Sequence, residues 1–201
     1  MCIAAEIQVP ARPENYLLDE GKVFPPEVEA RVVAALKAAA RDSDVHIYVM
    51  TMGSLNVMPS RAGETLDQTQ KTVRQEWLAG RVGALIVFDN EAGKAVVGAS
   101  DEAMKVFSPV AVNMALKDPD LQSRKKHLSP DKLSSTVVRL IQHFTDLRAK
   151  TNEEAQKRNT MNWIFAGTLG SFGLLGVAIF ISTKMRPAPI PPKGHRKTVT
   201  A

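Results

Sequence analysis

Short runs of apolar residues recur along the chain between longer amphipathic stretches. Val45–Thr51 and Ala84–Phe88 are rich in β-forming residues and bounded by turn residues, which predicts two buried strands. Lys94–Gly98 follows a turn at Asp89–Gly93 and predicts a strand that returns as a hairpin. Residues 9–24 are punctuated by proline and predict an irregular lead-in.

Apolar residues at helical spacing occupy the stretches between these strands. Pro25-Pro26 predicts a helix start, Gly80 predicts a helix end, and Ser100 predicts a cap. The predicted helices run from Pro25 to near Ser43, from Leu66 to Ala79, from Asp101 to about Lys117, and onward from Pro130, with loops at 52–65 and 118–129. Strands that alternate with helices predict an α/β fold, specifically a three-layer α/β/α sandwich with a mixed sheet.

A single C-terminal transmembrane helix is predicted after this body. Trp163 to Ser182 contains no charged residue, and its twenty residues span about 30 Å as a helix, the thickness of a bilayer core. Trp163 at one edge and Lys184 and Arg186 beyond the other fit a membrane anchor. The alternative is a buried core helix, although such helices are usually shorter and amphipathic.

Gly167, Gly170 and Gly173 recur every three residues along this predicted span. Small residues let membrane helices pack closely, so these glycines are candidates for a helix-packing face against another membrane protein. Glycine is also common background in membrane helices, and both interpretations stay open.

Positive charge flanking the span indicates its orientation. Five Lys and Arg follow the span and four precede it closely, which favours a cytoplasmic tail and an extracytoplasmic body in a periplasm or lumen. The alternative is a tail-anchored protein with a cytoplasmic body. The predicted organisation is a remnant of a signal peptide or an N-terminal tail at 1–8, an α/β domain at 9–150, a juxtamembrane segment at 151–162, the span at 163–182, and a basic tail at 183–201.

Net charge argues against a nucleic-acid partner. The chain carries +5, but five of its 26 basic residues lie beyond Thr183, and the other 21 balance the 21 acidic residues. A neutral body lacks the basic face that nucleic-acid binding requires. The single cysteine, Cys2, excludes an internal disulfide framework.

Oxygen-bearing side chains follow the predicted strands. Asp89 and Asn90 close the second strand, and Asp101 and Glu102 begin the third helix. Such ligands suit Ca²⁺ or Mg²⁺, so these four residues are the candidate metal ligands. The alternative is that Asp89 and Asn90 form a turn and that the other two acids favour a helix N-terminus. His46 lies within a strand and is interpreted as a structural histidine.

The order of these segments resembles the TPM domain family, which includes thylakoid-lumen phosphatases, photosystem-repair proteins and a receptor auxiliary subunit. The resemblance covers about residues 9–145. It is carried by Val9-Pro10, Asn15–Leu18, Pro26–Arg31, the strand at 45–51, Trp77 with Gly80, the strand at 83–88, and Lys94–Gly98. It implies an α/β/α sandwich, commonly exported, with divalent-metal binding and weak phosphatase activity in some members.

Three departures from the family pattern weaken the catalytic expectation. Glu14-Asn15 replaces the family's Asn-Asp pair, the acidic loop before the second strand is reduced to Gly80–Gly83, and the later glycine-rich stretch is reduced to Gly98–Ser100. Arg81 within the shortened loop would repel a cation. The sequence therefore favours a membrane-anchored accessory module that binds other membrane proteins and assists a membrane complex. The alternative is a metal-dependent phosphatase that uses Asp89.

Overall fold

The computed structural model describes residues 9–53, 65–117 and 129–184, with the backbone alone for 161–184. The chain divides into two units, Met1–Glu154 and Ala155–Ala201. In chain order the elements are β1 Leu17–Asp19, α1 Pro26–Ser43, β2 His46–Met52, α2 Leu66–Trp77, β3 Gly83–Asp89, β4 Lys94–Ala99, α3 Asp101–Val106, α4 Pro109–Leu116 and α5 Pro130–Lys184.

The strands form one mixed sheet in the order β1-β2-β3-β4. β1, β2 and β3 are parallel, and β4 is antiparallel to β3. His46 pairs with Gly83 where β2 and β3 begin, and Ala99 pairs with Ala84 where β4 ends. The predicted α/β class, the mixed sheet and the returning hairpin strand are thereby confirmed.

Both faces of the sheet are buried because successive side chains of β2 and β3 enter different cores. One core joins Ile47, Val49 and Ile86 to apolar residues of α1, α3, α4 and α5. The other joins Tyr48, Met50, Leu85 and Val87 to Val73 and Trp77 of α2. Helices on both faces are consistent with an α/β sandwich.

The two crossover connections have opposite handedness. The steps from β1 to β2 and from β2 to β3 cross the sheet in the same direction, yet α1 and α2 pack on opposite faces. One of the two connections must therefore be left-handed, against the strong preference of parallel strands for right-handed crossovers.

Side-chain caps fix the starts of α2 and α3. Thr65 and Gln68 form a reciprocal capping box at α2. At α3 the Ser100 hydroxyl accepts hydrogen bonds from the backbone N–H groups of Ala103 at 3.0 Å and Gly83 at 3.1 Å. Ser100 therefore caps α3, as predicted, and also ties that helix to the start of β3.

Two predicted elements were wrong. The lead-in contains β1, whose three residues are too few to show an alternating pattern and are defined by pairing with β2. The predicted helix over 101–117 is two helices, because Pro109 has no N–H and disfavours helical geometry at Ser108, whose ψ is 130°.

Several predictions fall outside the described residues. These are the N-terminal segment 1–8, most of the two loops (54–64 and 118–128), the tail with Arg186, and the side chains of Trp163, Gly167, Gly170, Gly173 and Lys184. Within the part of the chain that is described, no helix combines the length and the apolar character needed to cross a membrane. The backbone is helical up to Lys184.

Candidate functional site

Asp89, the strongest predicted metal ligand, closes the β3–β4 turn. Its side chain is buried, with 6% exposed, and Oδ1 accepts a hydrogen bond of 2.9 Å from the backbone N–H of Ala92. Asn90 is exposed and its backbone N–H donates to the carbonyl of Met52 at 2.9 Å. This arrangement is the turn chemistry that the sequence offered as the alternative interpretation.

Asp101 and Glu102 lie at the opposite end of the sheet from Asp89. Asp89 pairs with Lys94, whereas Ala99 at the other end of β4 pairs with Ala84, so about 17 Å of strand separates the two ends. Within the described residues, no three His, Cys, Asp or Glu side chains are grouped so that they could hold a metal ion. The four predicted ligands do not share a site, and Ca²⁺ or Mg²⁺ binding stays a prediction.

Asp101 and Glu102 line a pocket of about 390 Å³ between the end of α2 and the start of α3. Arg74 and Lys105 line the same pocket, and Lys105 Nζ lies 2.7 Å from Glu102 Oε1. Glu102 is therefore paired with a cation, which competes with any metal ion for its carboxylate.

A buried threonine and an aspartate join the carboxyl ends of β1 and β2. Asp19 accepts hydrogen bonds from the backbone N–H groups of Val23 at 2.9 Å and Phe24 at 3.1 Å, and from the Thr51 hydroxyl. The Thr51 hydroxyl also accepts from the N–H of Gly21. The Asp19 carboxylate is thus engaged in holding the turn into α1. Sequence reasoning missed it because β1 itself was not predicted.

A second cluster, also missed, lies around the start of β2. The Tyr16 hydroxyl is 3.4 Å from His46 Nδ1, and His46 Nε2 is 3.4 Å from Asp44 Oδ1. Asp44 also pairs with Arg148 of α5 at 3.1 Å. The Tyr16 ring packs on Tyr48 at a centroid distance of 4.9 Å, and Tyr16 has a φ of 69°, which is rare for a bulky residue.

Two arginines add positive charge to this cluster. Arg81 Nη1 donates to the Tyr48 hydroxyl at 3.5 Å, and Arg12 Nη1 donates to the backbone carbonyl of Trp77 at 3.4 Å. We call the set Arg12, Tyr16, His46 and Arg81 the arginine–tyrosine surface. The sequence singled out Arg81, in the shortened loop before β3, and His46 as a structural histidine, but it gave no signal that these four residues lie together.

The surroundings of His46 favour its neutral form. Burial of the ring and the positive charge of Arg81 lower the pKa of His46, Asp44 opposes them, and Arg12 adds a smaller lowering effect. Because the folded protein then binds this proton less readily than the unfolded chain does, stability is retained at high pH. It falls as the pH drops below about 6.5, the ordinary histidine value, until the folded pKa has been passed.

Substituting His46 by glutamine should therefore reduce the loss of unfolding free energy between about pH 7 and pH 5. Urea unfolding of the full-length chain at a series of pH values measures it. His143→Gln serves as the matched control because His143 is exposed on α5. An equal pH dependence in His46→Gln and the wild type would contradict the prediction.

The outer surface of α3 and α4 exposes apolar side chains. Val110 and Met114 are 69% and 70% exposed, one helical turn apart on α4, and Met104 of α3 is 37% exposed. Val112 and Ala115 on the inner side of α4 are buried in the core. We call Met104, Val110 and Met114 the α3–α4 apolar face.

Comparison with known proteins does not place the chain in a family. No family model and no curated protein matches it. Among solved structures it is similar to the N-terminal domain of a P. gingivalis protein determined by NMR, with 16% identity and a TM-score of 0.46 over 64% of this chain and 81% of the other. The TPM resemblance stays a prediction.

Proposed function

We propose that the chain is a membrane-anchored, TPM-like accessory module that binds a partner protein and assists the assembly or maintenance of a membrane complex. In this proposal the body is a three-layer α/β/α sandwich outside the cytoplasm, residues 163–182 cross the membrane, and residues 183–201 form a basic cytoplasmic tail. The observation that carries the binding function is the α3–α4 apolar face.

Val110 and Met114 contribute nothing to the core in their present positions. Burying a side chain of this size stabilises a complex by roughly 1.5–3 kcal/mol, and α4 presents two of them on one side. Exposed apolar patches of this kind commonly mark sites of protein interaction. Methionine also adapts its shape to an apolar partner surface.

The positions of the acidic residues support binding over metal-dependent hydrolysis. Asp89 is used in a turn, and Asp101 and Glu102 lie at the other end of the sheet beside two cations. A phosphatase that uses Asp89 would show hydrolysis with Ca²⁺ or Mg²⁺ that is lost in Asp89→Asn. Asparagine keeps the Oδ1 acceptor of the turn while removing the charge, so the variant is suited to this comparison.

The test of the binding function is capture of a partner by the full-length protein from detergent-solubilised native membranes. We expect a stoichiometric partner that is lost when Val110 and Met114 are both changed to glutamate, because two buried charges are costly at an apolar interface. Val138→Glu on α5 is the matched control, since Val138 is 41% exposed and lies on another helix. Repeated recovery of the protein alone, or equal loss of the partner in the control, would overturn the proposal.

A further inference from the structure

We propose that the arginine–tyrosine surface binds an acidic peptide segment of a partner protein, whose side-chain carboxylates are held by Arg12 and Arg81. This inference rests on the proposed function in one respect, namely that the partner is a protein. It names the chemistry of the segment and a second contact surface separate from the α3–α4 apolar face.

The two guanidinium groups have donors to spare. Among the described residues, neither Arg12 nor Arg81 forms an ion pair with a carboxylate. With partners in that part of the chain, Arg12 makes one long hydrogen bond to the Trp77 carbonyl, and Arg81 makes one to the Tyr48 hydroxyl. A guanidinium has five N–H donors in a planar fork that matches a carboxylate, so most of this capacity is unused.

The Asp44 carboxylate is bonded to residues other than the two arginines. Asp44 is shared between Arg148 at 3.1 Å and His46 at 3.4 Å. The charges of both Arg81 and Arg12 act on His46 and on Tyr48. Two cations therefore act on one area where neither is paired with a carboxylate of the described residues, and a negatively charged segment is complementary to that area.

Both arginines bond to residues of a buried aromatic cluster. Tyr48 and Trp77 are buried with centroids 5.6 Å apart, and Tyr16 packs on Tyr48 from the outside. Arginine, tyrosine and tryptophan are the residues that most often carry binding energy at protein interfaces. The backbone of Tyr16 is left-handed, with a φ of 69°, and such strain concentrates at functional positions.

His46 provides a local reporter of binding. Its ring stacks on Tyr16 and lies beside Asp44, and the charges of Arg81 and Arg12 both lower its pKa. A bound carboxylate would offset the arginine charges, so occupation should shift the His46 titration toward higher pH. Binding should also strengthen as the pH falls through the range in which His46 becomes protonated.

The experiment is a titration of the full-length protein in neutral detergent with a fluorescently labelled hexaglutamate peptide. The Arg12→Gln/Arg81→Gln variant should bind at least tenfold more weakly than the wild type. Arg31→Gln/Arg41→Gln is the matched control, because it removes the same charge from exposed positions of α1 and keeps the basic tail. It should change the affinity less than threefold. The His46 ring resonances should shift on titration in the wild type.

Three results would overturn the inference. The first is equal binding of hexaglutamate by Arg12→Gln/Arg81→Gln and by the control Arg31→Gln/Arg41→Gln. That result would assign the affinity to the basic tail or to net charge. The second is equal affinity for hexaglutamine, and the third is equal affinity for free succinate, which would indicate a small carboxylate ligand. If the wild type captures a partner that the Val110→Glu/Met114→Glu variant loses, any of these three results rejects this inference and leaves the proposed function standing.

Discussion

Alanine at Gly83 is expected to disrupt the pairing of β2 with β3. A Cβ atom there would lie 2.6 Å from the carbonyl carbon of His46 and closer still to its oxygen, both of them backbone atoms. Neither can move freely, since Gly83 pairs with His46 in the sheet and its N–H and carbonyl are bonded to Ser100. We expect a loss of more than about 4 kcal/mol of unfolding free energy, or no folded protein.

Gly53→Ala is the control for this substitution. Its Cβ would meet no atom of the described residues within 4 Å, so urea unfolding should place the variant within about 0.5 kcal/mol of the wild type. If Gly83→Ala unfolds at the same urea concentration as Gly53→Ala, the backbones of β2 and β3 do not approach as closely at Gly83 as the structure places them.

Replacing Trp77 by alanine is expected to remove about 3–5 kcal/mol of unfolding free energy. Trp77 is fully buried in the core beneath α2, and its ring packs 5.6 Å from Tyr48. Its indole N–H also donates to the Pro10 carbonyl at 2.8 Å, which fastens the lead-in to this core. The cavity and the lost hydrogen bond act together, and far-UV circular dichroism during urea unfolding measures the result.

Two further variants separate these contributions. Trp77→Phe keeps most of the aromatic volume and loses the hydrogen bond to Pro10, so we expect a loss of about 1–3 kcal/mol. Tyr48→Phe loses only a hydroxyl that accepts a 3.5 Å contact from Arg81, and should cost less than about 1 kcal/mol. An equal loss in Trp77→Ala and Tyr48→Phe would show that the indole is not a main support of this core.

The positions of the acidic residues show where sequence reasoning stopped short. Asp89 and Asp101 appear close along the chain, and the sequence suggested them as joint ligands. The predicted hairpin already held the contrary signal, because an antiparallel strand carries the chain back to the opposite end of the sheet. Likewise, Pro109 was a readable signal for the break between α3 and α4.

The sequence by itself determined the class of fold and the main elements of the body. Continuous apolar runs at β2 and β3 require burial on both sheet faces, and helical periodicity supplies the covering helices. Capping at Thr65 and Ser100 is local chemistry and needs no tertiary contact to be recognised.

Only the tertiary structure decided how distant segments meet. β1 exists through its pairing with β2, and the opposite handedness of the two crossovers depends on which core each helix enters. The arginine–tyrosine surface joins residues of the lead-in, β2 and the loop before β3, which are separated by up to 69 positions. Such a surface leaves no local pattern, because its members are brought together by strand pairing and core packing and not by their spacing in the chain.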